Sequence, residues 1–177
     1  IWRRLRVADS IPLCCLHDAL QAVMGWTDSH LHQFERDGRY WGIPEHYPDD
    51  DVRVAEEWNV PLRRVLHQPG DSLIYTYDFG DNWRHEVVLE AITVSGPGHR
   101  KPLCLAGESR CPPEDVGGVS GYERFLEVIF DPQHEEFEDY LAWAGGPFHA
   151  EEFDLRAVND GLSRMRWPIR HSGPRRL

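Results

Sequence analysis

The sequence predicts an α+β fold, a largely antiparallel sheet with an N-terminal helix and C-terminal helices packed on it. Three observations carry this reading. Strand-like segments fall mainly in the first part of the chain and helical patterns close it, so strands and helices are segregated rather than alternating. Residues 72–78 and 83–93 are dense in β-branched and aromatic side chains on either side of a Gly-containing turn, as adjacent antiparallel strands would be. Apolar residues at helical spacing follow, in three successive patterns after residue 121.

Taken in order, WRRLRV at the start alternates Trp2, Leu5 and Val7 imperfectly with Arg and reads as a strand. Ser10 is expected to cap a helix that tolerates Pro12 in its first turn. Leu13, Leu16, Ala19, Leu20, Val23 and Met24 keep helical spacing, and Gly25 is a natural stop. HLHQFERDGRYWGI forms two short strands around Asp37-Gly38, a strong hairpin signal. Residues 44–60 are acidic and contain Pro, which predicts a surface loop or short helix, and VPLRRVL one helical turn. Residues 95–121, rich in Gly and Pro, predict a long ordered loop, and such loops are often functional. The closing helices are marked by Tyr122, Phe125, Leu126 and Ile129, by Phe137, Tyr140, Leu141 and Ala144, and by Leu155, Val158, Leu162 and Met165. Asp154 is the cap of the last.

The chain has 177 residues, 41% of them hydrophobic, with seven Trp, seven Phe and six Tyr. That suits one domain with a real core, placed at residues 1–166, followed by a basic tail at 167–177. No apolar run approaches the ~20 residues that cross a bilayer. No basic, apolar and small-residue opening is visible, so Cys14, Cys15, Cys104 and Cys111 are expected as reduced thiols in a cytoplasm. Cys14 and Cys15 read as small buried hydrophobes. Cys104 and Cys111 can bridge, ligate a metal or do neither.

The net charge of −11 repels phosphate backbones and weighs against non-specific nucleic-acid binding. From Arg164 onward there are five Arg and no acid, so any duplex contact is expected to depend on Arg170, Arg175 and Arg176.

YTYDFGDNWRH, residues 75–85, concentrates chemistry in one place. With a turn centred on Gly80-Asp81, Asp78 lies opposite Trp83 and Thr76 opposite His85. Asp78, Trp83 and His85 then share one face with Ile74 and Val87, while Tyr75 and Tyr77 point the other way beside Arg84. Gly80 is expected at positive φ. On a structural reading Asp78 accepts backbone N–H groups of the turn, and His85 donates to a carboxylate or carbonyl. On a functional reading Asp78, Asp81 and His85 ligate a divalent metal, or Asp and His pair as a general base with its orienting partner. Spacing alone favours the structural reading.

Two further stretches qualify. His30 and His32 fall on one side of a strand, where paired His can ligate a metal, though such His more often pack or hydrogen-bond. PPEDVGG, residues 112–118, fixes Glu114 and Asp115 between rigid prolines and permissive glycines, on a loop able to approach another surface closely. No Walker loop, Gly-x-Ser-x-Gly elbow or His-Glu-x-x-His helix is present.

In order along the chain stand Ile1-Trp2-Arg3-Arg4, Leu16-His17, Trp26 with His30-Leu31-His32 and Phe34, and Tyr75-x-Tyr77-Asp78-Phe79-Gly80-Asp81-x-Trp83-x-His85. Cys104 with Gly107 follows, then Pro112-Pro113-Glu114-Asp115-x-Gly117-Gly118 with Gly121-Tyr122, and Phe153-Asp154 with Asn159. On these motifs the sequence resembles the plasmid pRiA4b ORF-3-like family, which includes passenger proteins of some insertion elements, over roughly residues 1–166. The resemblance implies an α+β domain and raises the prior for a DNA-related role. Relatives often place Cys between the Glu-Asp and Gly-Gly pairs. Here that residue is Val116, which leaves Cys104 and Cys111 without a third sulfur.

Two functions follow as expectations. The first is a binding or adaptor module, with the motifs holding an unusual loop on the sheet and Tyr77, Asp78, Asp81, Trp83, His85, Glu114 and Asp115 as binding residues. The second is a metal-dependent hydrolase of phosphoester or nuclease type. Asp78, Asp81, His85, Glu114 and Asp115 serve there as ligands or base, with His85, Asp78 and Glu114 the catalytic candidates and Asp78, Asp81, His85, His30 and His32 the candidate ligands of a divalent metal. Convergence of these groups in the fold would separate the two.

Overall fold

A computed structural model describes residues 1–47, 53–94 and 101–165. Its elements are β1 (Trp2–Arg6), α1 (Leu13–Met24), β2 (His32–Arg36), β3 (Arg39–Gly42), β4 (Val54–Glu56), β5 (Ser72–Tyr77), β6 (Trp83–Val88), β7 (Leu103–Glu108), α2 (Gly118–Ile129), α3 (Phe137–Trp143) and α4 (Leu155–Arg164). Single 3-10 turns occupy Pro44–His46 and Leu62–Arg64.

β2 to β6 form a five-stranded sheet in the order β4-β3-β2-β5-β6, and β1 pairs with β7 in a separate two-stranded sheet. All pairings are antiparallel except β3 with β4. The α+β class and the largely antiparallel sheet are therefore as the sequence predicts. The β2–β3 hairpin turns at Asp37 and Gly38, both with positive φ, as the Asp-Gly pair requires.

α1 is the centre of the molecule. Its residues Leu13 to Gln21 are all buried, because both of its sides are covered. Leu13, Leu16 and Leu20 pack with Phe34, Leu73, Tyr75, Tyr77 and Trp83 of the large sheet. Ala19 and Val23 pack with Cys104 of β7 and Leu162 of α4. A satellite core of Phe125, Ile129, Phe148 and Ala150 sits under α2 and α3. Each aromatic ring removed from water contributes on the order of 150–250 Å² of buried surface, so the sheet face is where most of the driving force lies.

Several elements differ from expectation. Ser10 does not cap α1. Pro12 occupies the cap position, and the N–H of Leu13 donates to Val60 O at 3.0 Å while Leu62 N–H donates to Ile11 O at 2.8 Å. Tertiary backbone contact thus replaces the local cap. β4 arises from the acidic 44–60 segment and β7 from the Gly- and Pro-rich 95–121 segment. Each exists because a partner strand supplies its hydrogen bonds. β6 ends at Val88; Leu89 is half-buried and still bonds the backbone of Gly70 and Asp71, and residues 90–93 continue as exposed, irregular chain. The tail at 167–177, with Arg170, Arg175 and Arg176, lies outside the described residues, as do residues 48–52 and 95–100. No helix among the described residues is long and apolar enough to cross a membrane.

Candidate functional site

The β5–β6 hairpin has Tyr77 opposite Trp83, Thr76 opposite Arg84 and Tyr75 opposite His85. The turn therefore spans five residues, 78 to 82, and the pairing differs by one from a turn centred on Gly80-Asp81. A one-residue change of register swaps faces. Tyr75 and Tyr77 consequently share the buried face with Trp83, His85 and Val87, while Thr76 and Arg84 lie on the other. The left-handed positions are Asp78 (φ 54) and Asn82 (φ 55), and Gly80 is not among them.

Asp78 is fixed as the structural reading expects. Its Oδ1 accepts the N–H groups of Gly80 at 2.9 Å and Asp81 at 3.3 Å, and its own N–H donates to Leu31 O at 2.8 Å. His85 faces away from it. Its Nδ1–H donates to Trp83 O at 3.0 Å and more weakly to Tyr75 O at 3.4 Å, and its ring meets Trp26 edge-on. Burial lowers the His85 pKa, partly offset by these two carbonyls, so the ring is neutral at neutral pH. An Asp78–His85 pair does not form.

The 112–118 loop closes over this end of the sheet. Trp26 Nε1 donates to Pro112 O at 3.0 Å, and the Trp26 ring stacks on Tyr77 at 4.9 Å. Glu114 Oε1 accepts from Thr27 N–H at 2.8 Å and Tyr77 O–H at 2.9 Å, and its Oε2 from the Thr27 hydroxyl at 2.8 Å. Burial alone would raise the Glu114 carboxyl, but donors from Thr27, Tyr77 and Ser29 hold it below the usual range. Desolvation and the Glu114 charge together push the Tyr77 phenol up. Asp81 Oδ2 accepts Gly117 N–H at 3.1 Å. Gly118, at φ 70, lies so close to the hairpin that an added Cβ would meet Asp81 O at 2.5 Å.

Asp115 stands at the seam between loop and hairpin. Its Oδ1 is 3.0 Å from His30 Nε2, and Asp78 Oδ2 is 3.7 Å from the same nitrogen. His30, Asp78 and Asp115 thus converge although they are far apart in sequence. His32 does not join them, because it turns inward to Glu57 Oε2 at 2.9 Å and stacks on His17 with ring centroids 3.5 Å apart.

That inward side holds a polar network which spacing did not reveal. Gln21 Nε2 donates to the Tyr75 hydroxyl at 3.0 Å. The phenol proton is then available to His17 Nδ1 at 2.7 Å, and His17 Nε2–H donates to Asp28 at 2.7 Å. His17, His32 and Tyr75 stand in three separate quoted motifs, and nothing local links them with Asp28 and Glu57. The buried groups are hydrogen-bonded, as a structural network must be.

All four Cys are buried and none is in a disulfide. Arg3 Nη2 donates to Cys111 Sγ at 3.2 Å, and burial raises both the Cys104 and Cys111 thiols. Neither is a disulfide partner. A recess of about 290 Å³ at the far end of β2 is lined by Arg36, Asp37, Arg39, Arg64, Val65 and His67. Arg36 is already engaged there by Asp71, Asp37 and the Val65 carbonyl.

An α+β domain whose polar motifs fasten one long loop across a hairpin is the class these features define. The chain belongs to the plasmid pRiA4b ORF-3-like family, whose model matches residues 1–157. It is 38% identical over 159 residues to the uncharacterized protein y4hQ of Sinorhizobium fredii, covering 90% of this chain and 79% of that one. It is also similar to the crystal structure of MM3350, a protein of unknown function from Methanosarcina mazei Go1. The identity is 40% and the TM-score 0.79, over 89% of this chain and 88% of that one.

Proposed function

We propose that residues 1–166 act as one binding or adaptor module rather than as a hydrolase, with the clamped loop and hairpin end as the presenting surface. The observation that carries this is the engagement of the motif groups by the protein itself. Glu114 has three donors, Asp81 holds the Gly117 N–H, Asp78 Oδ1 holds the turn, and the His85 Nδ1–H is given to carbonyls. A general base or nucleophile needs a free lone pair within reach of substrate; both Glu114 oxygens are engaged, while Asp78 and His85 are each oriented through one atom and keep only Oδ2 and Nε2 uncommitted. Phe79 and Val119 add exposed apolar surface on the two segments that meet here. The family takes its name from a plasmid reading frame, which supports a place for the module in mobile genetic elements.

The hydrolase reading is supported by convergence: His30, Asp78 and Asp115 meet at the seam, and His17, Asp28 and His32 meet in the interior. The test is an assay of chromogenic phosphomonoesters, phosphodiesters and short oligonucleotides with Mg²⁺, Mn²⁺ or Zn²⁺. The expected result is no turnover above background. Turnover that disappears in a folded Asp115→Asn variant would establish the hydrolase instead.

A further inference from the structure

We propose that His30, Asp78 and Asp115 form a divalent-cation site, with Zn²⁺ as the best-fitting ion, that ties the 112–118 loop to the hairpin turn.

The spacing is the first support. One candidate ligand atom from each residue lies within 4.8 Å of the others. Two ligands each about 2.0–2.1 Å from one ion, at tetrahedral or octahedral angles, are separated by about 2.9–3.4 Å. The 3.0 Å between His30 Nε2 and Asp115 Oδ1 meets this, and the 3.7 Å to Asp78 Oδ2 needs a few tenths of an ångström of closure.

The second support is the state of the nitrogen. His30 Nε2 is sealed from solvent and makes no hydrogen bond, although a carboxylate oxygen lies 3.0 Å away. That oxygen is close but wrongly placed for an N–H to point at it. An ion set between the two needs no N–H direction. Leaving a buried nitrogen unsatisfied is otherwise costly.

The third is the division of labour within Asp78. The turn holds Oδ1 through two N–H groups, and no hydrogen bond among the described residues reaches Oδ2. A carboxylate with one oxygen oriented by backbone donors and the other free is the arrangement of a supported metal ligand. One imidazole with two carboxylates suits Zn²⁺ better than Mg²⁺ or Ca²⁺, which favour all-oxygen sets. The Asp115 side chain is 70% exposed, so water can complete the coordination. The ion would also offset two facing carboxylates in an acidic chain.

The ligand set is narrower than the one expected from sequence, since Asp81, His85 and His32 are engaged elsewhere. The inference rests on reading this seam as a binding surface, yet the two can fail separately. Loss of the ion site leaves the loop clamp of Glu114 and Asp81 in place.

The test uses the full chain without an affinity tag. Zn²⁺, Mn²⁺, Mg²⁺ and Ca²⁺ are titrated by calorimetry, the chelator-treated variants His30→Gln and Asp115→Asn are compared, and His67→Gln serves as a distant control. The expected result is one equivalent of Zn²⁺, bound at least tenfold more weakly by both site variants and equally well by the control. Melting temperatures in chelator should be nearly unchanged for Asp115→Asn, which shows that the variant folds. With Co²⁺ in place of Zn²⁺, the spectrum should lack a thiolate-to-metal charge-transfer band. Absence of Zn²⁺ binding, binding insensitive to both site variants, or a thiolate band would each overturn the proposal.

Discussion

Glu114 and Tyr77 carry the clearest residue-scale consequence. The phenol donates to the carboxylate and itself accepts Ser29 N–H at 3.0 Å, so removing the hydroxyl strands partners on both sides. Tyr77→Phe should cost about 1–3 kcal/mol in urea unfolding. A double-mutant cycle with Glu114→Ala should show coupling of roughly 0.5–3 kcal/mol. Additive losses would mean that the loop is held by something else. The glycines should rank unequally. A Cβ at Gly121 would meet Val116 O at 1.9 Å, and one at Gly118 would meet Asp81 O at 2.5 Å with φ already left-handed. Both Ala variants should lower the melting temperature severely, because backbone must move. Gly80→Ala meets only Asp78 Oδ1 at 3.2 Å and should cost far less, contrary to the positive φ expected from its place in the turn. Equal losses at all three would refute this ranking.

At the scale of elements, Asn159 shows how a helix is locked to a strand. Its Oδ1 accepts Cys104 N–H at 2.9 Å and its Nδ2 donates to Cys104 O at 2.9 Å, so an α4 side chain pairs with the free edge of β7. Asp154 caps the same helix by accepting the N–H groups of Arg156 and Ala157, each at 2.9 Å. Phe153 packs against Gly107, where a Cβ would come within 2.6 Å of its ring, and Arg3 lies over that ring at 4.3 Å. The Phe153-Asp154…Asn159 motif therefore reads as fastening. Asp154→Ala should cost about 1 kcal/mol. Asn159→Ala, which strands a strand N–H and C=O, should cost about 1–3 kcal/mol. Hydrogen exchange at Cys104 should quicken in Asn159→Ala and stay slow in Asp154→Ala.

At the scale of the whole molecule, stability should fall on the acid side in two stages. Burial lowers the His85 pKa, so the unfolded chain binds that proton more readily. The His85 contribution is complete above about 6.5 and is lost as pH falls below it. Glu114 is also held low, and Asp71 is lowered to about 2 by Arg36 and the His67 and Gln68 N–H groups. Both release more protons folded than unfolded, so their contribution is present above about 4.3 and is lost below. Urea midpoints measured from pH 8 to pH 3 should be flat, then decline gently below 6.5 and steeply below about 4. His85→Gln should remove the gentle decline and leave the steep one. A decline between pH 6.5 and 5 that persists in His85→Gln would assign it to another His.

The sequence by itself determined the α+β class, the N-terminal helix and its stop at Gly25, the Asp37-Gly38 hairpin, the antiparallel pairing of the segments at 72–78 and 83–93, of which the second pairs only to Val88, and the Asp154 cap. Each depends on periodicity, turn chemistry or capping within a few residues. It also picked out Asp78, Glu114 and Asp115 as residues with chemistry to account for. Only the tertiary structure decided the rest. β4 and β7 exist by virtue of partners supplied from elsewhere in the chain, and α1 begins on backbone donors and acceptors at 60–62 rather than on Ser10. The hairpin register turned on one residue in the loop, which local propensity does not specify and which exchanges the two faces. Whether His30, Asp78 and Asp115 meet, or whether His17 and Asp28 pair beneath them, depends on how a loop lies on a sheet. That is settled by packing and long-range hydrogen bonds, which leave no mark on local spacing.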